Sequence, residues 1–244
     1  MVDYRSRIYK NYASCMQDAD PVFDEAEAVR WGRTYDKFLR GWLPEKKGAG
    51  ILDVACGGGK LLYFFKKQGY TKLQGVDISP EQVVLSKQVT ENVTESNAID
   101  YLKNTRETYD LIAGLDILEH FKKDEVLQFL DACYDALRPG GRLILQTPNA
   151  ESPWGSHHRY NDFTHEVGFN SNALKRLLAI VGFSGITARE AGPVVHGVLS
   201  FVRYLIWKLI WVVLALWNLA ETGSKGSGIY TRVFFITGRK DSRK

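Results

Sequence analysis

The fold of this chain is decided by the stretch Ile51-Leu52-Asp53-Val54-Ala55-Cys56-Gly57-Gly58-Gly59-Lys60. Apolar residues lead into an acidic side chain, a glycine cluster follows, and residues 61–68 have helical character. This order predicts a strand, a tight turn and a helix N-terminus, which together begin a βαβ unit. Glycines let a ligand approach the backbone closely, and a helix start offers unpaired N–H groups. The stretch therefore predicts a ligand-binding loop at the start of an α/β fold.

A second predicted strand, residues 72–78, carries a carboxylate near its end. Asp77 lies at its tip, roughly twenty residues after the glycine loop, and an acid at that spacing accepts hydrogen bonds from a ribose diol. The loop and this acid meet at the carboxyl edge of a parallel sheet, where ligands bind in such folds. Together they predict a nucleoside-binding site.

The kind of nucleoside follows from residues that do not fit phosphate binding. A dinucleotide-binding loop has a third glycine where this chain has Leu62. A P-loop needs a glycine and a hydroxyl residue where this chain has Val54 and Leu61. Asp53 would repel a pyrophosphate, but it would attract an ammonium group. S-adenosylmethionine (SAM) combines a ribose, an adenine and a cationic amino-acid tail without phosphate, so these residues predict SAM as the ligand.

The ordered motifs between residues 50 and 183 resemble those of the class I SAM-dependent methyltransferases. The first motif of that family, acid-x-G-x-G-x-G, corresponds to residues 53–59, with Ala55 in place of the usual first glycine. An alanine fits there only if its φ angle is negative. The resemblance implies a Rossmann-like, doubly wound α/β sheet and methyltransferase activity. The later motifs correspond to residues 75–79, 97–98, 109–112, 115–120 and 137–143.

The resemblance and the strand order also indicate which residues bind the cofactor. Asn97 stands where the family often has an aspartate next to adenine. Arg33, which precedes the glycine loop, is assigned as a partner for the methionine carboxylate. The remaining predicted cofactor residues lie in the glycine loop and at strand ends: Asp53, Ala55, Cys56, Gly57, Gly59, Asp77, Ile78, Ala98, Leu115 and His120.

Length and composition limit the other possibilities. A chain of 244 residues can form one substantial α/β domain with additions but is short for two. The formal charge of +4 is mild and no basic tract is interleaved with aromatic residues, so no nucleic-acid partner is expected. The three cysteines show neither paired nor regular spacing, which predicts neither disulfides nor a zinc site. Because the first residues lack an apolar leader, we expect a cytoplasmic protein.

The chain is predicted to divide into an N-terminal helical cap, residues 1–48, and a SAM-binding domain, residues 49–244. In the methyltransferase fold the last two strands are antiparallel, so the apolar stretch 192–228 is predicted as a helical insertion between them. Strands are predicted near 50–55, 72–78, 93–97, 109–115, 141–147, 185–190 and 230–237, and helices near 59–68, 80–90, 122–137 and 171–181.

The insertion contains a strongly apolar stretch, residues 198–220, near the length of a membrane span. A single crossing would separate the last strand from its sheet, so none is expected. At about 100° per residue, basic, Trp and Tyr residues share one arc and aliphatic residues fill the opposite side. This pattern is typical of a helix in a membrane interface and predicts peripheral contact with the inner face of the cytoplasmic membrane. Packing on the chain's own domain, or on a second subunit of an oligomer, are the alternatives.

The loop after the fifth strand, residues 147–166, holds the densest collection of chemically capable side chains. A hydroxyl acceptor must lose a proton, and histidine is the natural base near neutral pH. This role is assigned to His165, with Glu166 or Asp162 orienting it. The polar residues in this loop that suit acceptor binding are Asn149, Arg159 and Tyr160.

Three hypotheses for the function stay open. Residues 159–166 and 192–197 resemble a bacterial subgroup of methyltransferases, which implies a sugar hydroxyl of a cell-envelope glycan or of its lipid-linked precursor. A quinone-like or other small hydrophobic acceptor would equally suit an apolar interfacial helix. A non-catalytic SAM-binding subunit is the third hypothesis, favoured by the departures at Ala55 and Asn97. The spacing of the loop histidines matches no established ligand pattern, so no metal is predicted.

Overall fold

Seven strands form one mixed sheet at the centre of this computed structural model, which describes residues 4–16, 20–106 and 108–241. The strands are β1 Gly50–Val54, β2 Lys72–Asp77, β3 Val93–Glu95, β4 Tyr109–Leu115, β5 Leu137–Pro148, β6 Ser184–Glu190 and β7 Val233–Arg239. Their order in the sheet is β3-β2-β1-β4-β5-β7-β6. Strand β7 runs antiparallel to β5 and β6, and the other neighbours are parallel. The predicted doubly wound α/β sheet is therefore confirmed.

Helices flank the sheet. They are α1 Tyr4–Tyr9, α2 Tyr12–Met16, α3 Glu25–Leu39, α4 Lys60–Lys67, α5 Pro80–Ser86, α6 Ala98–Asn104, α7 Lys123–Ala136, α8 Gly155–Tyr160, α9 Ser171–Val181 and α10 Val198–Thr222, with a 3₁₀ turn at Leu118–His120. Capping side chains mark where some of them begin. Asp24 accepts a hydrogen bond from the backbone N–H of Glu27 at the start of α3, and Asn170 accepts one from Ala173 at the start of α9.

Each face of the sheet has its own apolar core. On one face Phe64 of α4 belongs to the same buried cluster as Ile51 of β1. On the other face Phe129 of α7 belongs to the same cluster as Leu52 of β1. Successive residues of β1 therefore point to opposite faces, and both are fully buried. Burying one large apolar side chain contributes about 1.5–3 kcal/mol, so β1 gives the glycine loop a rigid base.

The N-terminal helices pack against the helices of the central fold. Arg5 of α1 contacts Glu125 of α7 through two hydrogen bonds of 2.7 and 2.9 Å. The hydroxyl of Ser14 in α2 donates to Glu81 of α5 at 2.8 Å. Residues 1–3 and 17–19 of the predicted cap lie outside the described residues, and its separation as a unit stays a prediction.

Two short helices, α6 and α8, form where the sequence predicts none. Helix α6 begins after Asn97, whose side chain accepts hydrogen bonds from the backbone N–H groups of Ile99 and Asp100 at 2.9 and 3.3 Å. Helix α8 begins at buried Gly155, where a Cβ would lie 2.9 Å from the carbonyl oxygen of Ala150. Helices this short depend on tertiary packing, and they show too few residues for a periodic apolar pattern.

Helix α10 is the predicted insertion between β6 and β7. It has 25 residues and is long and apolar enough, by length and composition, to cross a membrane. Its two ends lead into β6 and β7, which are paired in the sheet. The polar and aromatic arc of α10 packs on the protein's own domain: Lys208 contacts Glu190 at 2.8 Å, and Trp211 donates to the carbonyl of Gly228 at 2.9 Å.

The opposite side of α10 is an exposed apolar face. Most of its side chains are about half exposed or more. We call this surface the outer face of α10, and it consists of Val198, Leu199, Phe201, Val202, Leu205, Ile206, Leu209, Ile210, Val212, Val213, Leu216, Trp217 and Leu219.

Candidate active site

A cavity of about 1350 Å³ opens at the carboxyl ends of β1, β2 and β4. Its walls come from the glycine loop, the tip of β2, the 3₁₀ turn, helices α1 to α3 and the loop around α8. A pocket for one drug-sized ligand is roughly 300–1,000 Å³. This cavity therefore has room for two molecules side by side.

The glycine loop forms one wall of the cavity and contains an alanine in an unusual conformation. Ala55 lines the cavity with a φ of 59°, so the expectation of a negative φ is wrong. The left-handed region costs a residue with a Cβ about 1–2 kcal/mol. Among the described residues, Asp116 is the other non-glycine residue with a positive φ, and it also lines the cavity. Such strain is concentrated at binding sites.

Asp77 lies at the tip of β2, and both of its carboxylate oxygens accept backbone hydrogen bonds. The N–H of Gly57 donates to Oδ2 and the N–H of Ser79 donates to Oδ1, each at 2.8 Å. Burial raises the pKa of Asp77, and these hydrogen bonds oppose the shift. The carboxylate is held between the glycine loop and the cavity, which it lines.

Asp53, in β1, is buried and lines the same cavity. Its Oδ2 atom has no hydrogen-bond partner within the part of the chain that the structure describes. Burial raises the pKa of Asp53 well above its ordinary value, and repulsion by Asp77 raises it further. A buried polar group without a partner is costly. The site is therefore suited to a ligand that brings a positive charge or an N–H donor to Asp53.

Other predicted cofactor residues also line the cavity. Asn97 uses its amide oxygen to cap α6, which leaves its amide N–H groups for a ligand. Cys56 is buried, and burial raises the pKa of its thiol, so it is a packed neutral side chain rather than a nucleophile. The remaining members of this set are Gly57, Ile78, Ala98 and Leu115.

Two histidines and two tyrosines form a cluster of rings beside the 3₁₀ turn. The rings of His120 and His165 are 4.8 Å apart, and those of Tyr9 and Tyr12 lie 6.2 and 6.3 Å from His120. All four line the cavity, and we call them the aromatic corner. Burial, with repulsion from His165 second, lowers the pKa of His120 to about 4. This imidazole is therefore neutral at physiological pH.

Asp162 and Thr164 hold the aromatic corner in place. Asp162 accepts hydrogen bonds from the hydroxyls of Tyr12 and Thr164, each at 2.6 Å. The same Thr164 hydroxyl lies 2.8 Å from Nδ1 of His120. Although burial opposes the change, hydrogen bonds from Thr164 and Tyr12 lower the pKa of Asp162. Asp162 therefore supports Tyr12 and, through Thr164, His120.

His165 is oriented by a backbone carbonyl rather than by the predicted carboxylates. Its Nδ1 atom lies 2.7 Å from the carbonyl oxygen of His158, which makes Nδ1 the protonated nitrogen and leaves a lone pair on Nε2. Glu166 accepts a hydrogen bond from the hydroxyl of Tyr4 and lies outside the cavity lining. The prediction that Glu166 or Asp162 orients His165 is therefore wrong.

Two more carboxylates line this part of the cavity: Glu119 is buried, and Asp116 is exposed at the cavity surface. Gln146 donates to Asp116 at 2.6 Å, and the hydroxyl of Thr147 donates to Oε2 of Glu119 at 3.0 Å. Desolvation by the surrounding protein raises the pKa of both carboxyls, and repulsion by Asp116 adds to the shift at Glu119. The sequence assigns neither residue a role, although both fall inside the matched motif 115–120.

Two predicted cofactor residues lie outside the cavity lining. Arg33 is exposed on α3, two positions after Trp31, which lines the cavity. Two positions correspond to about 200° around a helix, so Arg33 points away from the cavity. Gly59 instead lets α4 and α5 approach, because a Cβ there would lie 3.0 Å from the Cα of Ser86. The cofactor roles predicted for Arg33 and Gly59 do not fit these positions.

The three predicted acceptor residues lie outside the cavity lining and contact other parts of the protein. Arg159 donates to the backbone carbonyls of His165 and Glu166. Asn149 is buried and donates to the backbone carbonyls of Ile229 and Thr231, before β7, at 2.8 and 3.0 Å. Tyr160 is exposed and lies against Arg159. Polar side chains in a loop satisfy the backbone of that loop as readily as a ligand, and sequence does not separate the two uses.

The N-terminal helices supply cavity residues to which the sequence assigns no role. On α3, Glu27, Trp31 and Tyr35 recur every four residues and line the cavity. This spacing puts them on one face of the helix, and that pattern in the sequence could have indicated them. Trp31 and Tyr35 stack with ring centroids 3.6 Å apart. Helices α1 and α2 are too short for such a signal. Their contribution to the cavity lining consists of Arg5, Ser6, Tyr9 and Tyr12.

Residues 23–188 match the family described as a methyltransferase domain. The ubiquinone biosynthesis O-methyltransferase of Cereibacter sphaeroides is 31% identical over 122 residues, which cover 47% of this chain and 47% of that protein. The protein of the same name from Xylella fastidiosa is 32% identical over 110 residues, which cover 42% of this chain and 43% of that protein. The chain thus spans about half the length of these curated relatives.

Solved structures share the fold at lower identity. A SAM-dependent methyltransferase from Archaeoglobus fulgidus has a TM-score of 0.64 at 21% identity, over 98% of this chain and 100% of that one. The Haemonchus contortus phosphoethanolamine N-methyltransferase 2, solved with SAM, has a TM-score of 0.63 at 17% identity, over 96% of this chain and 60% of that one. At these identities the likeness shows the fold.

Proposed function

This chain belongs to the methyltransferase-domain family, and on that basis we propose that it transfers a methyl group from SAM to a hydroxyl of a quinone-like aromatic acceptor. Bound SAM supplies an electrophilic methyl group on a sulfonium, and transfer of that group to an oxygen leaves a neutral thioether. The chain's own residues must hold the cofactor, hold the acceptor, and provide a place for the acceptor's proton to leave.

The residues of the glycine-loop end of the cavity fit SAM. Asp77 is positioned for the ribose diol, and the unpartnered oxygen of buried Asp53 suits the cationic amino-acid tail. Asn97 and Ile78 line the side where the resemblance puts adenine. A phosphate-bearing cofactor would meet two buried carboxylates at this end and be repelled.

The aromatic corner is the observation that carries the choice of acceptor. Four rings, with centroid separations from 4.8 to 6.3 Å among the contacting pairs, favour a flat aromatic molecule over a sugar. Burial raises the pKa of Tyr9 and Tyr12, so both are neutral phenols. The corner therefore offers apolar ring faces with a few hydrogen-bonding tips.

A glycan acceptor, the first hypothesis from the sequence, has less support. The residues that suited a sugar, Asn149, Arg159 and Tyr160, lie outside the cavity lining. The relatives at about 30% identity are named as ubiquinone biosynthesis O-methyltransferases. Both observations favour the quinone-like alternative, while the ordered aromatic corner argues against a non-catalytic subunit.

The acceptor hydroxyl is activated in the aromatic corner. Methyl transfer requires the oxygen and the methyl carbon to be held roughly 3–3.5 Å apart before reaction. The oxygen must also lose its proton to attack efficiently. His120 is neutral, and the contact of His165 Nδ1 with a backbone carbonyl leaves Nε2 of His165 to accept the proton of the acceptor hydroxyl. Asp162 fixes the geometry through its hydrogen bonds to Tyr12 and Thr164.

The outer face of α10 is proposed to rest on a membrane surface, where a lipid-soluble acceptor is found. Its thirteen residues are all apolar, and a contiguous apolar surface of this kind must be covered. The polar side of α10 already contacts the protein through Lys208 and Trp211. Because both ends of the helix return to paired strands, the helix lies along the interface and does not cross the bilayer.

Vesicle binding tests this membrane contact. The full-length protein should co-sediment with phosphatidylglycerol vesicles, and a Leu209→Lys, Val213→Lys double variant should lose most of this binding while keeping its melting temperature. Val84→Lys adds a charge at an exposed apolar position of α5 and should bind like the wild type. No binding by the wild type, or equal binding by all three proteins, would contradict the proposal.

Turnover with two acceptors tests the function. The protein is incubated with SAM and either a short-chain prenylated catechol or a lipid-linked sugar, and the products are analysed by mass spectrometry. We expect one added methyl group on the catechol. Methylation of the sugar lipid alone would overturn the acceptor class. Binding of SAM without transfer to either acceptor would favour the non-catalytic alternative.

A further inference from the structure

We propose that Glu119, His120 and His165 bind one divalent transition-metal ion beside the acceptor position. One ligand atom from each of the three side chains lies within 4.8 Å of the others. In a tetrahedral site with bonds of 2.0–2.2 Å, ligand atoms are about 3.3–3.6 Å apart. A bound ion would therefore draw the three donors inward by small side-chain rotations. Metal binding itself does not depend on the proposed function.

Glu119 presents an oxygen that lacks a partner. Its side chain is 2% exposed and lines the cavity. The hydroxyl of Thr147 donates to Oε2 at 3.0 Å, while Oε1 has no hydrogen-bond partner among residues 4–16, 20–106 and 108–241. A buried carboxylate oxygen left without a donor is costly. A cation at Oε1 removes that cost.

The two histidines are already oriented as metal ligands are. In metal sites the nitrogen that does not bind the ion donates its N–H to a carbonyl, a carboxylate or a similar acceptor. His165 makes such a contact from Nδ1 to the carbonyl of His158 at 2.7 Å. His120 makes one from Nδ1 to the hydroxyl of Thr164 at 2.8 Å. Each ring therefore has Nε2 as its nitrogen for the ion.

Asp162 completes the support behind His120. It accepts the hydroxyl proton of Thr164 at 2.6 Å, so the Thr164 oxygen is left to accept from Nδ1–H of His120. This chain of carboxylate, hydroxyl and imidazole sets which nitrogen of His120 carries the proton. All three proposed ligands thus have a second residue that fixes their orientation.

The donor set and the local charge indicate the class of ion. Two imidazole nitrogens and one carboxylate oxygen suit zinc and its first-row neighbours rather than magnesium or calcium, which prefer oxygen. Asp116 adds a second carboxylate to the same part of the cavity. Three protein ligands leave at least one coordination position open, as in catalytic sites.

The role of the ion rests on the proposed function. The acceptor hydroxyl would occupy the open position, its proton would pass to a water molecule, and the metal-bound oxygen would attack the methyl carbon. A metal ion lowers the pKa of a bound hydroxyl in this way. In this arrangement His165 is a ligand and not the general base that the sequence predicts.

Direct metal binding tests the site. The full-length protein is treated with a chelator, dialysed and titrated with Zn²⁺ by calorimetry and with Co²⁺ by visible absorption. We expect one ion per chain in both experiments, and Co²⁺ bands typical of a low-coordinate site. Glu119→Gln and His165→Ala should each weaken Zn²⁺ binding at least tenfold. His157→Ala, an exposed histidine on α8, is the matched control and should bind as the wild type does.

A variant of a residue that orients a ligand, without being a ligand itself, separates loss of metal binding from loss of folding. Thr164→Val keeps the shape of the side chain but removes the hydroxyl, and it should weaken Zn²⁺ binding about 10- to 100-fold with a near-normal circular dichroism spectrum. Absence of stoichiometric binding by the wild type, or equal binding by the wild type and both ligand variants, would overturn the site. SAM titrations on the same samples are independent of it: lost SAM binding with retained Zn²⁺ binding would overturn the proposed function alone.

Discussion

Ala55 has a left-handed backbone at a position where the family usually has glycine, and this strain is measurable. The substitution Ala55→Gly removes the cost of the left-handed conformation, about 1–2 kcal/mol. Glycine also gives the unfolded chain more conformational freedom, which lowers the free energy of unfolding by about 0.5–1 kcal/mol. We expect the free energy of unfolding to rise by up to about 1 kcal/mol. Chemical denaturation measures it. Ala113→Gly in β4, where φ is not positive, should lower the same quantity, and equal losses at both positions would show that Ala55 is unstrained.

Asp53 should couple cofactor binding to proton release. Burial raises the pKa of its carboxyl above the ordinary value of 3.8, so the ligand-free folded protein binds more protons than the unfolded chain. Stability of the ligand-free protein should therefore fall as the pH rises through the window between 3.8 and the raised value. A cation beside Asp53 lowers the pKa again, and SAM binding should release protons.

Calorimetry in two buffers of different ionisation enthalpy measures that release. We expect a net proton release at mildly acidic pH in the wild type and a clearly smaller one in Asp53→Asn. Proton uptake, or the same release in both proteins, would mean that the cationic tail of SAM lies elsewhere.

The ion pair between Arg5 and Glu125 attaches α1 to α7 beside the cavity, and loss of this pair should weaken ligand binding. Arg5 and Glu125 are 2.7 Å apart and mostly buried, with 16% and 29% of their side chains exposed. Arg5→Gln should weaken acceptor binding about three- to tenfold, up to about 1.4 kcal/mol, because α1 also carries Tyr9. Michaelis constants and limited proteolysis give the measurement. Arg7→Gln, on the exposed side of the same helix, should change neither quantity, and equal effects of the two substitutions would contradict the role of the pair.

Helix α10 is attached to the domain by its inward side. Trp211 donates to the carbonyl of Gly228 at 2.9 Å, whereas Trp217 is 66% exposed on the outer face. Trp211→Phe removes this hydrogen bond and should lower the free energy of unfolding by about 1 kcal/mol. Trp217→Phe should change it by less than about 0.5 kcal/mol. A larger effect at Trp217 would indicate that the outer face packs on protein.

The elements that the sequence predicts well are those with a local chemical signature. The sequence predicts the glycine loop and the strands that precede and follow it, because the residue types there have one physical explanation. It does not predict helices α6 and α8, because they are short and depend on packing. The sequence assigns Arg33 a cofactor role from its charge alone, whereas its position on α3 puts it outside the cavity lining.

In the whole molecule, the cofactor half of the cavity was more predictable than the acceptor half. Cofactor residues follow strand ends, whose positions the topology sets. Acceptor residues come from segments far apart in sequence, so that Tyr12 contacts Asp162 and His120 reaches Thr164 only in the folded chain. Arg159 illustrates the opposite error: the sequence predicts that it binds the acceptor, but in the folded chain it donates to a backbone carbonyl of its own loop.

Calorimetric titration of SAM tests most directly whether the two acids and the glycine loop select a phosphate-free cationic nucleoside. We expect one SAM per chain and no binding of NAD⁺. Loss of the Asp77 carboxylate in Asp77→Asn should weaken SAM binding at least about tenfold, since hydrogen bonds to a charged group contribute about 1.5–3 kcal/mol. Asp131→Asn, on the exposed side of α7, should leave the affinity unchanged. Binding of NAD⁺ in preference to SAM, or equal SAM affinity in Asp77→Asn and the wild type, would contradict this assignment.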